Sequence, residues 1–344
     1  FTDLSTTALL QALPALRVPK ASAEVAQKRV LVVGGSIGGL AAAACLRAAG
    51  FQRVSVVERS QATRKGAGIA VDDASSAVLK GLGVLDRGAS GEQVSLKRLR
   101  WLEERMASGK TLVRQPYPAV SALYVEVLAG LASVLPEGVV SYGRKATGHE
   151  VLQDGSARVH FDEGHSVDCD LLIAADGPRS SFKAAVEGRD MPLRFAGYFA
   201  WRGTIEMQEL PSDVRDGLMR DFPDLGNCLY AITGAEPGRH AVLYNLGGGL
   251  VNWLIYESRA TPRAAAGQTT AAAEPEEIAH LRSTARARWG EGLGGVIEVT
   301  ADPFLNDIYD QECPLETFVA GPLAVLGDAA HAITPHLAKG SNLA

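Results

Sequence analysis

Cysteine is scarce in this 344-residue chain: four residues (Cys45, Cys169, Cys228, Cys313) lie far apart, with no C-x-x-C and no histidine at ligand spacing. They frame neither a disulfide scaffold nor a metal site, and they read as reduced, partly buried thiols. Basic excess is also missing: 34 Lys and Arg against 39 Asp and Glu leave a net charge of −5 and no face for nucleic acid. No stretch approaches the roughly 18 consecutive apolar residues that a membrane span requires. A chain that is 47% hydrophobic and 21% charged reads as a soluble globular protein of a cytoplasmic or organellar compartment. There is no Ser/His/Asp or paired-carboxylate signature for a dedicated acid–base site.

What the chain does carry is concentrated near its start. Arg29–Val33 is an apolar strand, followed by Gly34-Gly35-Ser36-Ile37-Gly38-Gly39 and an alanine-rich helix through Arg47. Such a turn brings backbone N–H groups and the positive end of a helix against a pyrophosphate. Val54–Glu58 then forms a second strand ending in a carboxylate, placed to accept ribose hydroxyls. Ser36 stands where the middle glycine of G-x-G-x-x-G is usual; its small side chain leaves room for phosphate and its hydroxyl can donate. A second stretch, Gly290–Gly295, matches the same pattern letter for letter. It follows a helical segment (His280 to Trp289) and precedes an apparent strand (Val296–Thr300), the reverse of the required order, so it is expected to be a connecting loop.

After Glu58, Arg64–Ile69 is a Gly-rich loop and Ser75 to Leu82 a helix. Leu96 to Glu103 and Thr111 to Arg114 suggest a hairpin, and Ala122 to Leu135 has helical spacing. Gly143 to Val167 switches to a small meander with turns at Asp154-Gly155 and Glu163-Gly164. The strand Asp170–Ala175 delivers Asp176-Gly177. A β-rich stretch follows (Phe195 to Ile205, Cys228 to Thr233, Ala241 to Leu246, Val251 to Glu257), accompanied by helices near Ser212 to Met219 and Pro275 to Trp289, with a surface loop over Arg259 to Glu276. The strand Phe318 to Leu326 then runs into Gly327-Asp328. Phe1 to Gln27, poor in acid and rich in Ala, Ser, Thr and Leu, reads as a loose helical extension or a targeting remnant.

Three separated motifs, the Gly34–Gly39 turn with Glu58, Asp176-Gly177-Pro178-Arg179-Ser180-Ser181-Phe182-Lys183, and Gly327-Asp328-Ala329-Ala330-His331-Ala332-Ile333-Thr334-Pro335, together resemble the group A FAD-dependent aromatic hydroxylases. Gly197–Gly203 and Asn252-Trp253 are most similar to the 2,6-dihydroxypyridine 3-hydroxylase branch, and more loosely to the salicylate and hydroxynicotinate hydroxylases. The resemblance implies an α/β fold of the p-hydroxybenzoate hydroxylase type, with a three-layer Rossmann-type FAD domain (28–95, 115–190 and 306–344) and a β-sheet-rich substrate domain (96–114 and 191–305). Residues 1–27 form an extension, and a further helix of about 50 residues' worth of chain is expected beyond Ala344 by domain-size reasoning.

The same resemblance assigns FAD contacts to Gly34, Ser36, Ile37, Gly39, Glu58, Arg59, Asp176, Gly177, Gly327 and Asp328. It adds the loop Pro335-His336-Leu337-Ala338-Lys339-Gly340-Ser341-Asn342, in which Pro335, Lys339, Gly340, Ser341 and Asn342 approach the ring and Ala338 and Lys339 replace Gly and Gln. An arginine that usually opens the helix near residue 122 is absent, with Ser121 at about its place. His331, Pro335 and His336 are the catalytic candidates. Tyr198, Trp201, Arg202, Tyr244 and Trp253 are candidates for the substrate wall. The implied reaction uses NAD(P)H and O2 to hydroxylate a small aromatic or N-heteroaromatic through a flavin C4a-hydroperoxide; a homodimer is among the assemblies the family allows. Alternative readings are an epoxidase or isoprenoid reductase on the same scaffold, and a non-catalytic FAD-binding or interaction module.

Overall fold

The computed structural model describes residues 17–61, 67–86, 94–234, 236–265, 268–337, 340 and 342–343. The chain opens with β1 (Arg29–Val33), α1 (Ile37–Ala49) and β2 (Arg53–Glu58). It continues through β3 (Gly68–Asp72) and α2 (Asp73–Gly81), whose N-terminus is capped by Asp72 accepting from the Ser75 N–H. The long hairpin β4 (Leu96–Met106) and β5 (Thr111–Leu123) leads into α3 (Tyr124–Ser133) and β6 (Val140–Tyr142). The expected meander is present as β7 (Ala146–Val151), β8 (Ala157–Phe161) and β9 (Ser166–Cys169), followed by β10 (Leu171–Ala174) and α4 (Lys183–Glu187).

The β-rich part comprises β11 (Leu193–Glu206), α5 (Ser212–Asp221), β12 (Cys228–Thr233), β13 (His240–Asn245), β14 (Leu250–Ser258), β15 (Thr270–Ala272), α6 (Pro275–Val299) and β16 (Phe304–Gln311). The chain returns through β17 (Val319–Ala320) and β18 (Leu323–Val325) to the short α7 (Asp328–His331).

Two large sheets organise these elements. The first has the order β17-β18-β10-β1-β2-β6 and is parallel except at β17. Leu40, Ala43 and Ala44 of α1 and Val127 and Leu131 of α3 cover one face. The meander, through Val159, Phe161 and Cys169, covers the other. The result is three layers of helix, parallel sheet and antiparallel sheet. Because both faces of the parallel sheet are buried, its strands read as continuous apolar runs.

The second sheet has nine strands in the order β15-β16-β11-β14-β13-β12-β4-β5-β3. It takes in 68–72 and 115–123, segments whose sequence groups them with the nucleotide domain. One face packs Trp201, Tyr230, Leu243, Trp253 and Ile255 against Leu218 of α5 and Trp289, Leu293 and Ile297 of α6. Fully burying a large apolar side chain contributes about 1.5–3 kcal/mol, so this layer anchors the sheet and leaves its opposite face free to wall a cavity.

The Gly290–Gly295 stretch departs from expectation in two respects: apart from the break at Gly290 it is helical rather than a connecting loop, and no strand follows it. The chain does break at Gly290 (φ 79°, ψ −178°), but Val296–Val299 is helical rather than a strand. Leu293, Val296 and Ile297 are buried at helical spacing, and the Gly292 N–H donates to Asp221 Oδ2 at 2.8 Å. A Cβ on Gly294 would sit 2.5 Å from the Arg286 Cα. The glycines therefore let the helix fold back on itself and lie close to α5. Three of the four cysteines are at least partly buried, and burial pushes the thiols of Cys169 and Cys228 up to about 11 and about 12. Cys313 is exposed.

Candidate active site

The turn after β1 is fixed by steric necessity. A Cβ on Gly34 (φ 113°) would lie 2.1 Å from the Ala175 carbonyl, one on Gly35 2.8 Å from the Glu58 Cβ, and one on Gly39 1.9 Å from the Gly34 carbonyl. Glycine at these positions lets the turn nest between the ends of β2 and β10. The Glu58 carboxylate accepts from the Gly35 N–H at 2.8 Å and the Ser60 N–H at 2.9 Å, so it stands at the strand end directly beneath the turn. Ser36 begins α1, and its Oγ lies 2.7 Å from the Tyr124 hydroxyl.

That contact corrects one expectation. Ser121 lies on β5, fully buried, and donates to the Asn245 carbonyl at 2.7 Å; it does not open the next helix. Tyr124 does, and it lines the cavity beside Ser36, Ile37 and Gly38. The position for which an arginine was expected is thus held by a tyrosine.

The remaining motifs meet this turn across a cleft. Asp176-Gly177 follows β10 and Gly327-Asp328 follows β18, neighbouring strands of the parallel sheet. Asp176 Oδ2 accepts from the Ser181 N–H, while its Oδ1 is buried with no partner among the described residues. Burial raises the Asp176 carboxyl above the ordinary value, against the pull of Ser180 and Lys183. Asp328 can be reached by solvent, but the depth of the cleft desolvates its carboxyl and raises it too, with His331 opposing. His331 Nδ1 is buried and has no partner among the described residues. Lys339 and Ser341 lie outside the described residues, as does Ala338. Asn342 reaches the outer edge of β3, accepting from the Asp72 N–H (3.0 Å) and donating to the Ala70 carbonyl (2.9 Å), so it latches the loop to the cavity wall.

Between these motifs and the second sheet lies a cavity of about 780 Å³. Its nucleotide side is formed by Ser36–Gly38, Ala175, Gly177, Leu326–Asp328, Ile333, Pro335 and Gly340. Its far wall is the free face of the large sheet. A second, more polar cavity of about 470 Å³ adjoins it, lined by Arg59, Asp176, Arg179, Asp307 and Tyr309 among others; Arg202, Asp328, Ile333 and Pro335 border both.

The substrate-wall candidates divide by strand alternation. Tyr244 and Arg202 face the cavity, and Arg202 Nη2 donates to the Gly68 carbonyl at 3.2 Å. Tyr198 stands at the rim, its hydroxyl 2.7 Å from His336 Nε2 and its ring stacked on the imidazole. Trp201 and Trp253 do not belong to the wall: both lie on the opposite face, in the core against α5 and α6. Trp253 Nε1 donates to Thr300 Oγ1 at 2.9 Å, and Gly203 lacks a side chain because the Trp253 ring occupies its Cβ space.

His240, Tyr256 and Tyr117 line the cavity although sequence reading passed them over. The signal was available for His240, which shares a face with Tyr244 four residues on along β13. His240 stacks on Tyr256 at 4.5 Å, and both rings approach His336 at 5.1 Å. Burial pushes His240 down to about 4 and lowers His336 as well.

The cleft fits FAD on its own geometry. The glycine turn leaves no space for a Cβ at Gly34, Gly35 or Gly39, two carboxylates stand at strand ends across from it, and at its border the buried Asp176 Oδ1 has no partner among the described residues. Comparison with known proteins agrees. The chain belongs to the FAD binding domain family, which matches residues 27–203. It is 32% identical to 3-amino-4-hydroxybenzoate 2-monooxygenase of Streptomyces cremeus, over 92% of this chain and 75% of the relative. It is 29% identical to a salicylate hydroxylase of Pseudomonas putida, over 91% of this chain and 74% of that one. The structure of 2,6-dihydroxypyridine-3-hydroxylase from Arthrobacter nicotinovorans superposes with a TM-score of 0.76 at 22% identity, covering 92% of this chain and 80% of the other. The fold is therefore of the p-hydroxybenzoate hydroxylase type, and the chain is a flavoprotein monooxygenase with FAD as its cofactor. Among the described residues no helix is long and apolar enough to cross a membrane.

Proposed function

We propose that this monooxygenase uses NAD(P)H and O2 to insert one oxygen atom into a small hydroxylated aromatic or N-heteroaromatic ring. The observation that carries the reading is the single cavity walled on one side by the three nucleotide motifs and on the other by an aromatic sheet face. The names of the relatives, a hydroxybenzoate monooxygenase and a salicylate hydroxylase, support the substrate class.

FAD bound in the cleft supplies the redox chemistry and oxygen activation. The protein's residues bind and orient. Backbone N–H groups of the Gly34–Gly39 turn and the N-terminus of α1 take the pyrophosphate, with Ser36 beside it. Glu58, already engaged with the turn at 2.8 Å, is placed for the adenosine ribose, and Arg59 borders the adjoining cavity. Asp176, Gly177, Gly327 and Asp328 take the middle of the cofactor, and Pro335 with Gly340 flanks the ring. Arg202 places a fixed cation at the boundary between the two cavities, where it would offset negative charge on the bound cofactor. The wall of tyrosines and apolar side chains excludes water. His336, its Nε2 engaged with the Tyr198 hydroxyl, keeps Nδ1 as the ring nitrogen that would hold a substrate hydroxyl proton or pass it to solvent.

Incubation with NAD(P)H, isotopically labelled O2 and a panel of phenols tests the proposal. A hydroxylated product carrying one labelled oxygen is expected. Cofactor-loaded protein that consumes neither nucleotide nor oxygen with any phenol would instead support a non-catalytic FAD-binding module, the reading that Tyr124 in place of arginine favours.

A further inference from the structure

A serine that precedes a helix ordinarily turns its hydroxyl inward to cap the first N–H groups. Ser36 does not. It is the N-cap of α1, yet its side chain accepts from no N–H of that helix, and its Oγ lies instead 2.7 Å from the Tyr124 hydroxyl. The N–H groups of a helix's first turn have no partner within the helix. Ile37 and Gly38, which carry two of them in α1, line the cavity. The cap that Ser36 withholds is left for a ligand to supply, and the ligand suited to a helix N-terminus is an anion.

Tyr124 reaches this point from a different element. It is the first residue of α3, and its N–H donates to the Ala67 carbonyl at 2.9 Å. Val127 and Leu131 of the same helix pack with Leu40 and Ala43 of α1. Backbone anchoring and helix packing therefore hold the ring beside the glycine turn. The hydroxyl pair joins the starts of two helices of 13 and 10 residues, and the first residue of each lines the cavity. A phenol is more acidic than an alkyl hydroxyl and is the stronger donor of the two. With Tyr124 donating to Ser36 Oγ, the serine proton turns away from the tyrosine, and accepting that bond strengthens Ser36 as a donor in its turn.

We infer that Tyr124 is a positioning residue for the cofactor diphosphate: it draws the Ser36 hydroxyl off the helix and aims its proton at a phosphate oxygen. A neutral hydroxyl relay thus takes the place of the arginine that the resemblance implies. The inference rests on the proposed reading that the Gly34–Gly39 turn takes the pyrophosphate.

Titration of the flavin-free chain with FAD, followed by flavin fluorescence, and displacement of that FAD by ADP test it. Ser36→Ala, which removes a donor to a charged acceptor, is expected to weaken both ligands about tenfold or more, and Tyr124→Phe about three- to tenfold. On the Ser36→Ala background, Tyr124→Phe should add less than about twofold, because the tyrosine acts through the serine. Since Ser36 caps no N–H of α1, Ser36→Ala should leave the thermal midpoint of the flavin-free chain nearly unchanged, as should Tyr124→Phe. Fully additive losses overturn the inference, as does a loss seen with FAD and not with ADP. A loss of affinity matched by an equal loss of stability without flavin also overturns it. Parent protein that binds neither FAD nor ADP would contradict the pyrophosphate reading itself. Parent protein that binds both, with affinities indifferent to Tyr124→Phe, contradicts this inference alone.

Discussion

Tyr244 and Trp253 stand on neighbouring strands, yet one faces the cavity and the other the core. Trp253 pairs with Leu243, so it shares the face of Leu243 and not that of Tyr244. Replacing Trp253 with Phe removes its hydrogen bond to Thr300 and part of a fully buried ring. It should cost about 1–3 kcal/mol in denaturant unfolding and leave ligand preference unchanged. Tyr244→Phe should do the opposite, weakening substrate binding several-fold with little effect on the denaturation midpoint. Asp328→Ala removes a carboxylate proposed to hold the middle of the cofactor and should weaken FAD by about 1.5–3 kcal/mol, roughly ten- to a hundredfold in the dissociation constant. Unchanged flavin retention in that variant would contradict the placement of the cofactor. His240 gives a pH signature. Its folded value, about 4, lies below the ordinary 6.5, so the unfolded chain binds the extra proton between them. The stability it contributes is complete above 6.5 and is lost as pH falls toward 4. Urea midpoints should therefore decline over that window in the parent and less steeply in His240→Phe; His336, lowered in the same way, keeps part of the slope.

At the scale of elements, the glycine turn shows how much a short motif encodes. Gly34, Gly35 and Gly39 are imposed by contacts that a sequence pattern represents without naming: the Ala175 carbonyl, the Glu58 side chain and the turn's own backbone. Gly39→Ala should cost about 2 kcal/mol or more by overpacking and should lower FAD retention in parallel, measurable by thermal denaturation with and without added cofactor. The parallel strands, α1 and the meander were legible because each carries a strong local period or turn signal. The second half of α6 was not. Val296-Ile297-Glu298-Val299 has β-branched residues that favour a strand locally, and only its packing against α5 and the cap from Asp221 hold it in a helix. The tryptophans were misplaced for a related reason. Aromatic richness marked β11 and β14 as important, but the face each residue takes depends on register, and register is set by long-range pairing. The helix expected to open at about Ser121 begins three residues later at Tyr124, a boundary that composition alone does not fix.

At the scale of the whole molecule, the site belongs to neither sheet. The parallel sheet contributes strand ends at β1, β2, β10 and β18, and the nine-stranded sheet contributes a face. The edge strand β3 joins them, held at Gly68 by Asn252 and Arg202 and along its edge by Asn342. The three nucleotide motifs, nearly 300 residues apart from first to last, therefore converge on one cleft because neighbouring parallel strands deliver them to the same end. That convergence could be expected from motif order; the aromatic and apolar composition of the facing wall required the structure. The most direct measurement is the visible absorption spectrum of the purified chain with FAD, followed after NAD(P)H is added first without air and then with it. The account predicts bound flavin that bleaches on reduction and regains colour as oxygen is consumed. A protein that retains no flavin after FAD is supplied in excess would contradict it.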